Sequence, residues 1–454
     1  MQILTATACV LSFLSTLCTA QNKSSDSFIE VLKKQTNLTS FTTLLEQQLP
    51  AILKALEATY EADTKPVTIL APSDHAFERL QYSDVLSPIF LSGENNTALM
   101  SQVVAYHVLE GSWTTETLNT SFKFLPSMTS TTNFSRVTGG QRVGAVLQPG
   151  LNTTNYEWEM VFTSGEATRS VVTVQDIPFA GGIIQILDNF LIPPIDLVPT
   201  IEPFNLANPP FALTAFLGAL YSTGPNTTFQ KYLNSTKDLT IFVPANVAFE
   251  TVSKSLESMS PSTLQNLLSY HVMPGLLYSE DFTNDTSLTM YSNQSTTMRF
   301  YPNSFFVNSA RILQSDIMIY NGVMHVIDVV LDPNEELKTR LPNPTSATQM
   351  AVLPTTGITR FNASEAPFTT FLPNFVPTET PTTTTSEDLL ALRTSTGTGF
   401  GASRIGSSLV MFSISMPFTL QLYPVHIPDL QSPSQTPVQI ATSNYPSSEY
   451  KYDT

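Results

Sequence analysis

The clearest structural pattern in the sequence is Asn321-Gly322-Val323-Met324-His325-Val326-Ile327-Asp328-Val329-Val330-Leu331. Its Asn-Gly pair is a turn signal, because both residue types accept the positive backbone φ of a tight hairpin turn. The β-branched and apolar run after the pair has the length and composition of a strand. A second β-rich run, Arg311 to Tyr320, lies just upstream. The two runs predict a hairpin that closes a domain, since Asp332-Pro333-Asn334 then breaks the pattern.

The same pattern occurs once before in the chain. Residues 174–191 contain Asp176-Ile177, then a Gly-Gly turn, then an apolar run that ends in Asp188 and Asn189. Two further landmarks also occur in both halves. One is a strand that stops at proline and leads into a helix, and the other is a Tyr-His-Val triplet. Their positions are Ala71 to Phe77 and Val243 to Phe249 for the first, and Tyr106 to Val108 and Tyr270 to Val272 for the second. A two-copy repeat of this length indicates a domain duplication rather than a solenoid.

The helical elements of the two copies also correspond. Apolar residues recur at helical spacing from Phe41 to Leu56 in the first copy, with Pro50 placed to kink or divide the helix. A matching helix is predicted around Phe216 in the second copy. Strand-like runs follow each Tyr-His-Val triplet. The first copy is longer, mostly between its triplet and its closing hairpin.

Composition limits the possible functions. The chain has 454 residues, which indicates two to three domains, and 42% of them are hydrophobic, enough for packed cores. Its formal net charge is −16, and only 13% of its residues are charged. An acidic surface repels phosphate backbones, so this composition argues against nucleic acid as a partner.

The N-terminus has the character of a secretory signal peptide, residues 1–20. Ile3 to Leu17 is apolar and rich in Ser and Thr, and Cys18-Thr19-Ala20 offers small residues for cleavage before Gln21. The alternative is a buried N-terminal helix, which the polar residues after Gln21 disfavour. Both cysteines lie inside this segment, so the predicted mature chain has no thiol for a disulfide, a metal site or a nucleophile.

Sequons for N-glycosylation agree with secretion. Eleven of them, together with a signal peptide, predict a heavily glycosylated surface, with each modified Asn on an exposed loop or edge. They are Asn22, Asn37, Asn95, Asn119, Asn133, Asn152, Asn226, Asn234, Asn284, Asn293 and Asn362.

The character of the chain changes after the second copy. Residues 334–408 are rich in Thr and Pro, a composition that predicts an extended, O-glycosylated stalk without a core. Residues 409–454 hold an apolar stretch and a polar tail, and we expect them to be disordered. Small residues before the apolar stretch resemble a glycolipid-anchor signal, although that signal normally ends the chain. A simple secreted protein and an anchored one are both left open, and membrane attachment is expected only with such an anchor.

The three repeated motifs together resemble the fasciclin domain, in two tandem copies that we place at residues 21–194 and 203–333. The resemblance implies an α+β fold in which each domain is a β-sandwich-like wedge with packed helices, followed here by the disordered Thr/Pro-rich tail. It also implies an extracellular, cell-surface or cell-wall glycoprotein that acts in adhesion. The combination with a signal peptide and a Ser/Thr/Pro-rich tail is similar to fungal members of the family.

The resemblance supplies eight candidate adhesion residues. Animal members link a Tyr-His pair to integrin-type adhesion, and the matching residues here are Tyr106, His107, Tyr270 and His271. Animal members also carry an Asp-Ile integrin-contact motif, which matches Asp176, Ile177, Asp316 and Ile317. For every one of these residues the favoured alternative is structural: a half-buried His that bonds backbone, or a residue of the turn before the hairpin.

The first copy departs from the second at two positions of the closing hairpin. It has Gly181 where the second copy has Asn321, and Gln185 where the second copy has His325. Any role of His325 beyond packing should therefore be missing from the first copy.

No catalytic motif supports an enzyme. The five His residues lack metal-ligand spacing such as His-Glu-x-x-His, and there is neither a Gly-x-Ser-x-Gly elbow nor a phosphate-cradling Gly loop. We therefore predict non-catalytic adhesion without cofactor or metal. The expected partners are cell-surface or matrix proteins, wall polysaccharide, or a second copy. A surface carbohydrate-processing enzyme and a vacuolar or endomembrane luminal protein remain as alternatives, because paired carboxylates need only meet in space.

Overall fold

The computed structural model describes residues 26–58, 65–92, 96–129, 135–150, 158–202, 212–301, 304–334, 353 and 366–372. The predicted signal peptide and the segment 409–454 lie outside these residues. So do five of the predicted glycosylation sites, Asn22, Asn95, Asn133, Asn152 and Asn362.

Two seven-stranded sheets form the framework, one in each copy of the repeat. The first has the strand order β2-β1-β7-β6-β5-β4-β3 and the second has the order β9-β8-β14-β13-β12-β11-β10, so the two copies share one topology. The duplication predicted from the sequence is confirmed. The strands of the first domain are β1 Val67–Pro72, β2 Val108–Glu110, β3 Lys123–Pro126, β4 Arg142–Pro149, β5 Trp158–Thr163, β6 Arg169–Phe179 and β7 Gly182–Leu187. Those of the second are β8 Leu239–Pro244, β9 Val272–Pro274, β10 Thr286–Thr289, β11 Ser295–Tyr301, β12 Ser304–Val307, β13 Ala310–Ile319 and β14 Gly322–Ile327.

Helices pack beside each sheet and make the fold mixed α+β, as predicted. In the first domain the α-helices are Phe28–Lys34, Thr39–Thr43, Pro50–Ala58, Asp74–Arg79, Ser87–Phe90 and Thr97–Tyr106. Leu197–Ile201 is a short helix between the domains. In the second domain the α-helices are Thr214–Ser222, Thr228–Ser235, Asn246–Thr251, Ser253–Glu257 and Pro261–Ser269.

Local sequence explains where several helices begin and end. Ser27 caps Phe28–Lys34 with a complete capping box to Glu30, and Thr227 does the same for Thr228–Ser235. Pro50 divides the helical region around it as predicted. Thr39–Thr43 continues as a π-helical turn, Leu44–Gln48, and a new helix begins at Pro50, where the missing N–H costs no hydrogen bond.

The centre of each sheet is a buried parallel pair. β1 runs parallel to β7, and β8 runs parallel to β14. Every residue of β1, β8 and β14 is buried. The closing hairpin predicted from the opening stretch is present as β13 and β14. Its apolar run is therefore a central strand, covered on both faces, rather than an edge strand.

The turn of this hairpin differs from the prediction. Ile319 pairs with Gly322, so the turn residues are Tyr320 and Asn321, and neither Asn321 nor Gly322 has a positive φ. The expectation of a left-handed Asn-Gly turn is wrong. A Cβ on Gly322 would lie 1.9 Å from the carbonyl oxygen of Leu239, so the glycine is required by the close approach of β8. Asn321 instead donates from Nδ2 to the carbonyls of Leu233 (2.7 Å) and Thr236 (2.8 Å).

A short piece of the predicted stalk also differs from expectation. Ala366–Leu372 contains a 3-10 turn, Thr369–Phe371, that packs on the second domain. Ala366 and Leu353 are buried in the core of that domain. The expectation that this Thr/Pro-rich region packs against no core does not hold at these residues, because a few apolar side chains within it meet an apolar helix.

The two domains contact each other through polar and aromatic side chains. Thr138 donates from its backbone N–H to Asp238 Oδ1 (2.7 Å), and its hydroxyl donates to Oδ2. The ring of Phe124 stacks on Tyr278 with centroids 4.4 Å apart. Glu280 Oε1 accepts from the N–H of Phe124 (3.0 Å). These contacts join β3 and the residues between β3 and β4 to the second domain.

Candidate adhesion site

The two Tyr-His pairs occupy the same structural position. Each follows a helix and leads into a short strand, and both His side chains are fully buried rather than half-buried. His107 Nδ1 donates to the carbonyl of Val103 (2.8 Å), and its Nε2 accepts from the N–H of Leu191 (3.0 Å). His271 makes the same two bonds with Leu267 (2.9 Å) and Leu331 (3.0 Å). Each His therefore pins the end of a helix to the segment that follows the closing strand.

Burial sets the protonation state of these His residues. It lowers the pKa of both imidazoles to about 4, because a charged ring would be taken out of water. A neutral ring is also what the geometry needs, since Nε2 accepts a hydrogen bond and must carry no proton. At neutral pH both His side chains can therefore hold the backbone in place, and neither of them exposes a surface that a partner could contact.

The tyrosines of the two pairs are buried as well. The hydroxyl of Tyr106 donates to the carbonyl of Arg142 (2.8 Å), and that of Tyr270 donates to the carbonyl of Ser295 (2.9 Å). In both domains the ring thus bridges the last turn of a helix to the sheet. The four Tyr and His candidates have structural contacts throughout, and their part in adhesion stays a prediction.

The two Asp-Ile pairs lie on bulges of β6 and β13. The strand register shifts around Asp176 and Asp316, and both residues have left-handed backbone conformation, with φ of 56° and 63°. Asp tolerates this conformation better than most residues do, because its short side chain bonds locally. Both Asp residues are half-buried. Ile177 is half-buried too, whereas Ile317 is fully buried in the core of the second domain.

Each bulge is clamped by a side chain from the neighbouring strand. In the first domain Gln185 Oε1 accepts from the N–H of Asp176 (2.8 Å). The Gln185 Nε2 donates to Asp176 Oδ1 (2.7 Å) and to the carbonyl of Trp113 (2.9 Å). The Asp176 carboxylate also accepts from the hydroxyl and the N–H of Thr115. The bulge is thereby tied to the loop after β2.

In the second domain His325 makes the equivalent clamp. Its Nδ1 accepts from the N–H of Asp316 (3.1 Å), and its Nε2 donates to the carbonyl of Leu277 (2.8 Å). Asp316 Oδ1 accepts from the N–H of Ser279 (2.8 Å). Burial lowers the pKa of His325, while the nearby Asp316 carboxylate acts to raise it. The two copies thus achieve one geometry with different side chains.

The clamp was not predicted from the sequence. The sequence shows Gln185 and His325 as a difference between the copies, and it predicts that any role of His325 beyond packing is missing from the first copy. The structure instead gives both residues one function. The available signal was their identical register, since Gln185 faces Leu70 and His325 faces Phe242 across the parallel pair. A Gln and a neutral His can each offer one donor and one acceptor.

A cleft of about 610 Å³ lies between the two domains. Residues 193–196 and 198–199 of the linker line it, together with Arg136, Asn234 and Tyr320. The Arg136 guanidinium lies over the ring of Tyr320 and donates to the carbonyl of Ser235 (2.9 Å). Asp196 is the one carboxylate among the lining residues. The cleft does not bring together the pair of carboxylates that glycoside hydrolysis needs.

The described sequons are mostly on the surface. Asn37 is half-buried, and the remaining five are exposed: Asn119, Asn226, Asn234, Asn284 and Asn293. Attachment of a glycan at these five positions requires no rearrangement of the core.

Among the residues that the structure describes, no group of three or more His, Cys, Asp or Glu could hold a metal ion. Within the same residues, none of the helices is both long enough and apolar enough to span a membrane.

Comparison with known proteins agrees with this architecture. A family model described as the Fasciclin domain matches residues 36–193 and 212–333, which is more than half of the chain. The chain belongs to the fasciclin domain family. Each match contains one of the two seven-stranded sheets.

Three individual proteins illustrate the similarity. A fasciclin-like arabinogalactan protein of Arthroderma benhamiae is 27% identical over 322 residues, which cover 70% of this chain and 69% of that protein. The transforming growth factor-beta-induced protein ig-h3 of Sus scrofa is 34% identical over 122 residues, 23% of this chain and 18% of that one. A solved FAS1 domain pair from the insect cell adhesion molecule Fasciclin I covers 65% of this chain and 97% of that chain, with 18% identity and a TM-score of 0.30. Neither of the two sequence relatives, the arabinogalactan protein or ig-h3, is named as an enzyme.

Proposed function

We propose that this protein is a non-catalytic adhesion glycoprotein of the extracellular space, the cell surface or the cell wall. The observation that carries the proposal is the pair of fasciclin domains joined through side-chain contacts, with the polar candidate residues of both copies used to hold the fold together. Such a pair presents its outer surface in a fixed geometry, which suits recognition of an extended partner. Relatives named fasciclin-like arabinogalactan proteins support a glycosylated surface role.

The partners we propose are cell-surface or matrix proteins, or wall polysaccharide. The net charge of −16 and the exposed sequons favour a hydrated, glycan-covered surface with limited recognition patches. In the Asp-Ile pair of the second domain, Asp316 is the partly exposed member, since Ile317 is fully buried. A partner that uses this motif would therefore have to contact the Asp316 carboxylate.

A binding array of glycans and matrix proteins tests the proposal. The full chain should bind at least one glycan or matrix protein and release no product from it. A fragment that stops at residue 333 is unsuitable, because Ala366–Leu372 packs on the second domain. A folded full chain that binds nothing on the array, or that hydrolyses a glycan, would overturn the proposal.

Two variants separate a contact from a structural effect at Asp316. Asp316→Asn keeps a side chain that tolerates positive φ and can still accept from Ser279, but it removes the charge. Asp316→Ala removes both. If the carboxylate contacts a partner, both variants lose binding. If its task is structural, Asp316→Asn binds normally and Asp316→Ala mainly loses stability.

Location is tested by microscopy of the protein tagged after residue 20. We propose a signal at the cell surface or in the medium, and a vacuolar signal would contradict it. Peptide mapping of the purified protein decides the question of the glycolipid anchor. Recovery of residues 421–451 from the mature chain would exclude an anchor attached upstream of them.

A further inference from the structure

The segment Ala366–Leu372, which we call the strap, covers an apolar groove on the second domain. The floor of the groove is the helix Thr214–Ser222, whose residues from Thr214 to Leu220 are all buried. Ala366 is buried in the same core, and Phe368 packs against it with its ring edge toward Phe249 at a centroid distance of 6.4 Å. The strap thus contributes to keeping this helix out of water, together with the core of the second domain.

One glycine makes the contact possible. A Cβ on Gly218 would lie 2.1 Å from the carbonyl oxygen of Phe368, so the backbone of the strap approaches the helix closely. Phe368 itself has a φ of 67°, which turns the chain at the point of contact. A glycine in the middle of a helix costs about 1 kcal/mol relative to alanine. The close approach of the strap gives a structural reason for this costly residue.

The first domain offers an internal comparison. Asp74 donates from its N–H to the carbonyl of Asn37, as Asn246 does to that of Ala212. These bonds align the two helices, and Thr43 then falls at the position of Gly218.

The equivalent groove of the first domain is open, with a volume of about 350 Å³, and Thr43, Leu44, Phe77 and Phe90 are among its lining residues. A Cβ at position 43 fills the space that the strap backbone uses in the second domain. The strap is therefore specific to the groove that contains Gly218.

A long connection joins the strap to its domain. Residues 335–365 separate it from the end of the second domain, and within them the structure describes only Leu353. Because Leu353 is itself buried in the core of the second domain, residues 354–365 set the reach of the strap, which is roughly 40 Å at about 3.3 Å per extended residue. That is enough for the strap to reach a neighbouring molecule.

We propose that the groove around Gly218 is a docking site for the strap of a second copy of this chain, so that exchange of straps produces self-association. The contacts are the same within one molecule and between two, and local concentration decides which forms. A covalent connection of this length gives an effective concentration on the order of millimolar. Dilute protein should stay monomeric, and molecules crowded on one surface should pair. Strap exchange would make a second copy of this chain one partner in adhesion, and its biological use rests on the proposed adhesion function.

A complementation experiment with two full-length variants tests the exchange. Gly218→Ala blocks the groove while it favours the helix, and it leaves the strap free. Phe368→Asp disables the strap, keeps a residue that tolerates positive φ, and leaves the groove open. Each variant alone should be monomeric by size-exclusion chromatography with light scattering, and an equimolar mixture should contain a 1:1 heterodimer. A mixture that stays monomeric, with both chains folded by circular dichroism, would overturn the proposal.

A peptide of residues 353–372 gives a second readout that is independent of the fold of Gly218→Ala. It should bind the Phe368→Asp chain and bind the unchanged chain about tenfold or more weakly, because the resident strap competes. Absence of binding to Phe368→Asp would also overturn the proposal. Thr43→Ala is the matched control and should leave both readouts unchanged. The glycan and matrix array does not depend on exchange, so failure there and failure here are distinguishable.

Discussion

The first domain provides an internal reference for substitutions of His325, the residue that clamps the bulge of the second domain. His325→Gln places in the second domain the residue that already performs the task in the first, where Gln185 bonds both the bulge N–H and the carbonyl of Trp113. His325→Ala removes the side chain and leaves the N–H of Asp316 and the carbonyl of Leu277 without their partner. The two variants should therefore differ greatly in stability although both remove the imidazole.

The magnitude follows from the two hydrogen bonds that His325 makes. Each buried polar group that loses its partner costs about 1–3 kcal/mol, and the cavity left by the ring adds to that cost. We expect His325→Ala to lower the free energy of unfolding of the second domain by about 3–5 kcal/mol. We expect His325→Gln to change it by about 1 kcal/mol or less, since both side chains offer one donor and one acceptor.

Urea denaturation followed by two probes measures the difference. Both tryptophans of the chain, Trp113 and Trp158, belong to the first domain, so their fluorescence reports that domain, whereas far-ultraviolet circular dichroism reports both. His325→Ala should shift mainly the circular dichroism transition, and the matched control Gln185→Ala should shift the fluorescence transition. If His325→Gln costs as much as His325→Ala, the equivalence of the two clamps is refuted.

Three further predictions follow from the same structure. Gly322→Ala places a Cβ against the carbonyl of Leu239 and should destabilise the second domain by about 3 kcal/mol or more in a denaturant titration. Gly224→Ala has open space around its Cβ and should cost only the backbone strain of its φ of 110°, about 1–2 kcal/mol. Burial holds the pKa of His107 and of His271 at about 4, below the value of 6.5 for an exposed imidazole. Between pH 4 and pH 6.5 the unfolded chain therefore binds more protons than the folded chain. The contribution of each His to the free energy of unfolding should be fully present above pH 6.5 and should fall by about 3 kcal/mol per His as the pH drops to 4. The urea midpoint, measured as a function of pH, tests this. Mass spectrometry of tryptic glycopeptides should find glycans at Asn119 and Asn284, and an unmodified Asn at both would contradict the proposed secretory route.

The half-buried carboxyl group of Asp328 opposes the His contribution in acid. Burial raises the pKa of Asp328 to about 6, although its carboxylate accepts from the N–H of Arg311 (2.7 Å). The folded chain keeps this proton longer than the unfolded chain, so Asp328 favours folding as the pH falls from 6 toward 3.8. The acid loss from two His residues should exceed this gain, and Asp328→Asn should steepen the loss of stability with falling pH.

Much of the fold could be predicted from the sequence because each sequence pattern occurs in both copies. The closing hairpin, the strand that stops at Pro72 or Pro244 and the Tyr-His positions were each predicted twice, and the sheets confirm the equivalence of the copies. Local pattern was sufficient where the chemistry is local, as at Pro50.

The features that the sequence did not reveal depend on contacts between distant residues. In the sequence alone, Gly322 indicates a turn. A glycine is required at this position, however, because the carbonyl oxygen of Leu239 on another strand approaches it closely. The apolar residues of the strap are sparse within a Thr/Pro-rich segment, so composition hides them, and only Gly218 shows where they pack. The clamp could not be predicted because Gln and His are different residue types, although their hydrogen-bonding capacity at that register is the same.

The most direct test of non-catalytic adhesion by the folded domain pair is a detachment-force measurement. Beads coated with the full chain at known density are pulled from surfaces that carry matrix protein or wall polysaccharide, with heat-unfolded chain as the control. We expect the folded chain to resist detachment from at least one surface, with a resistance that grows with coating density, and we expect the surface polymer to stay intact. Equal detachment forces for the folded and unfolded chains on every surface would contradict this expectation.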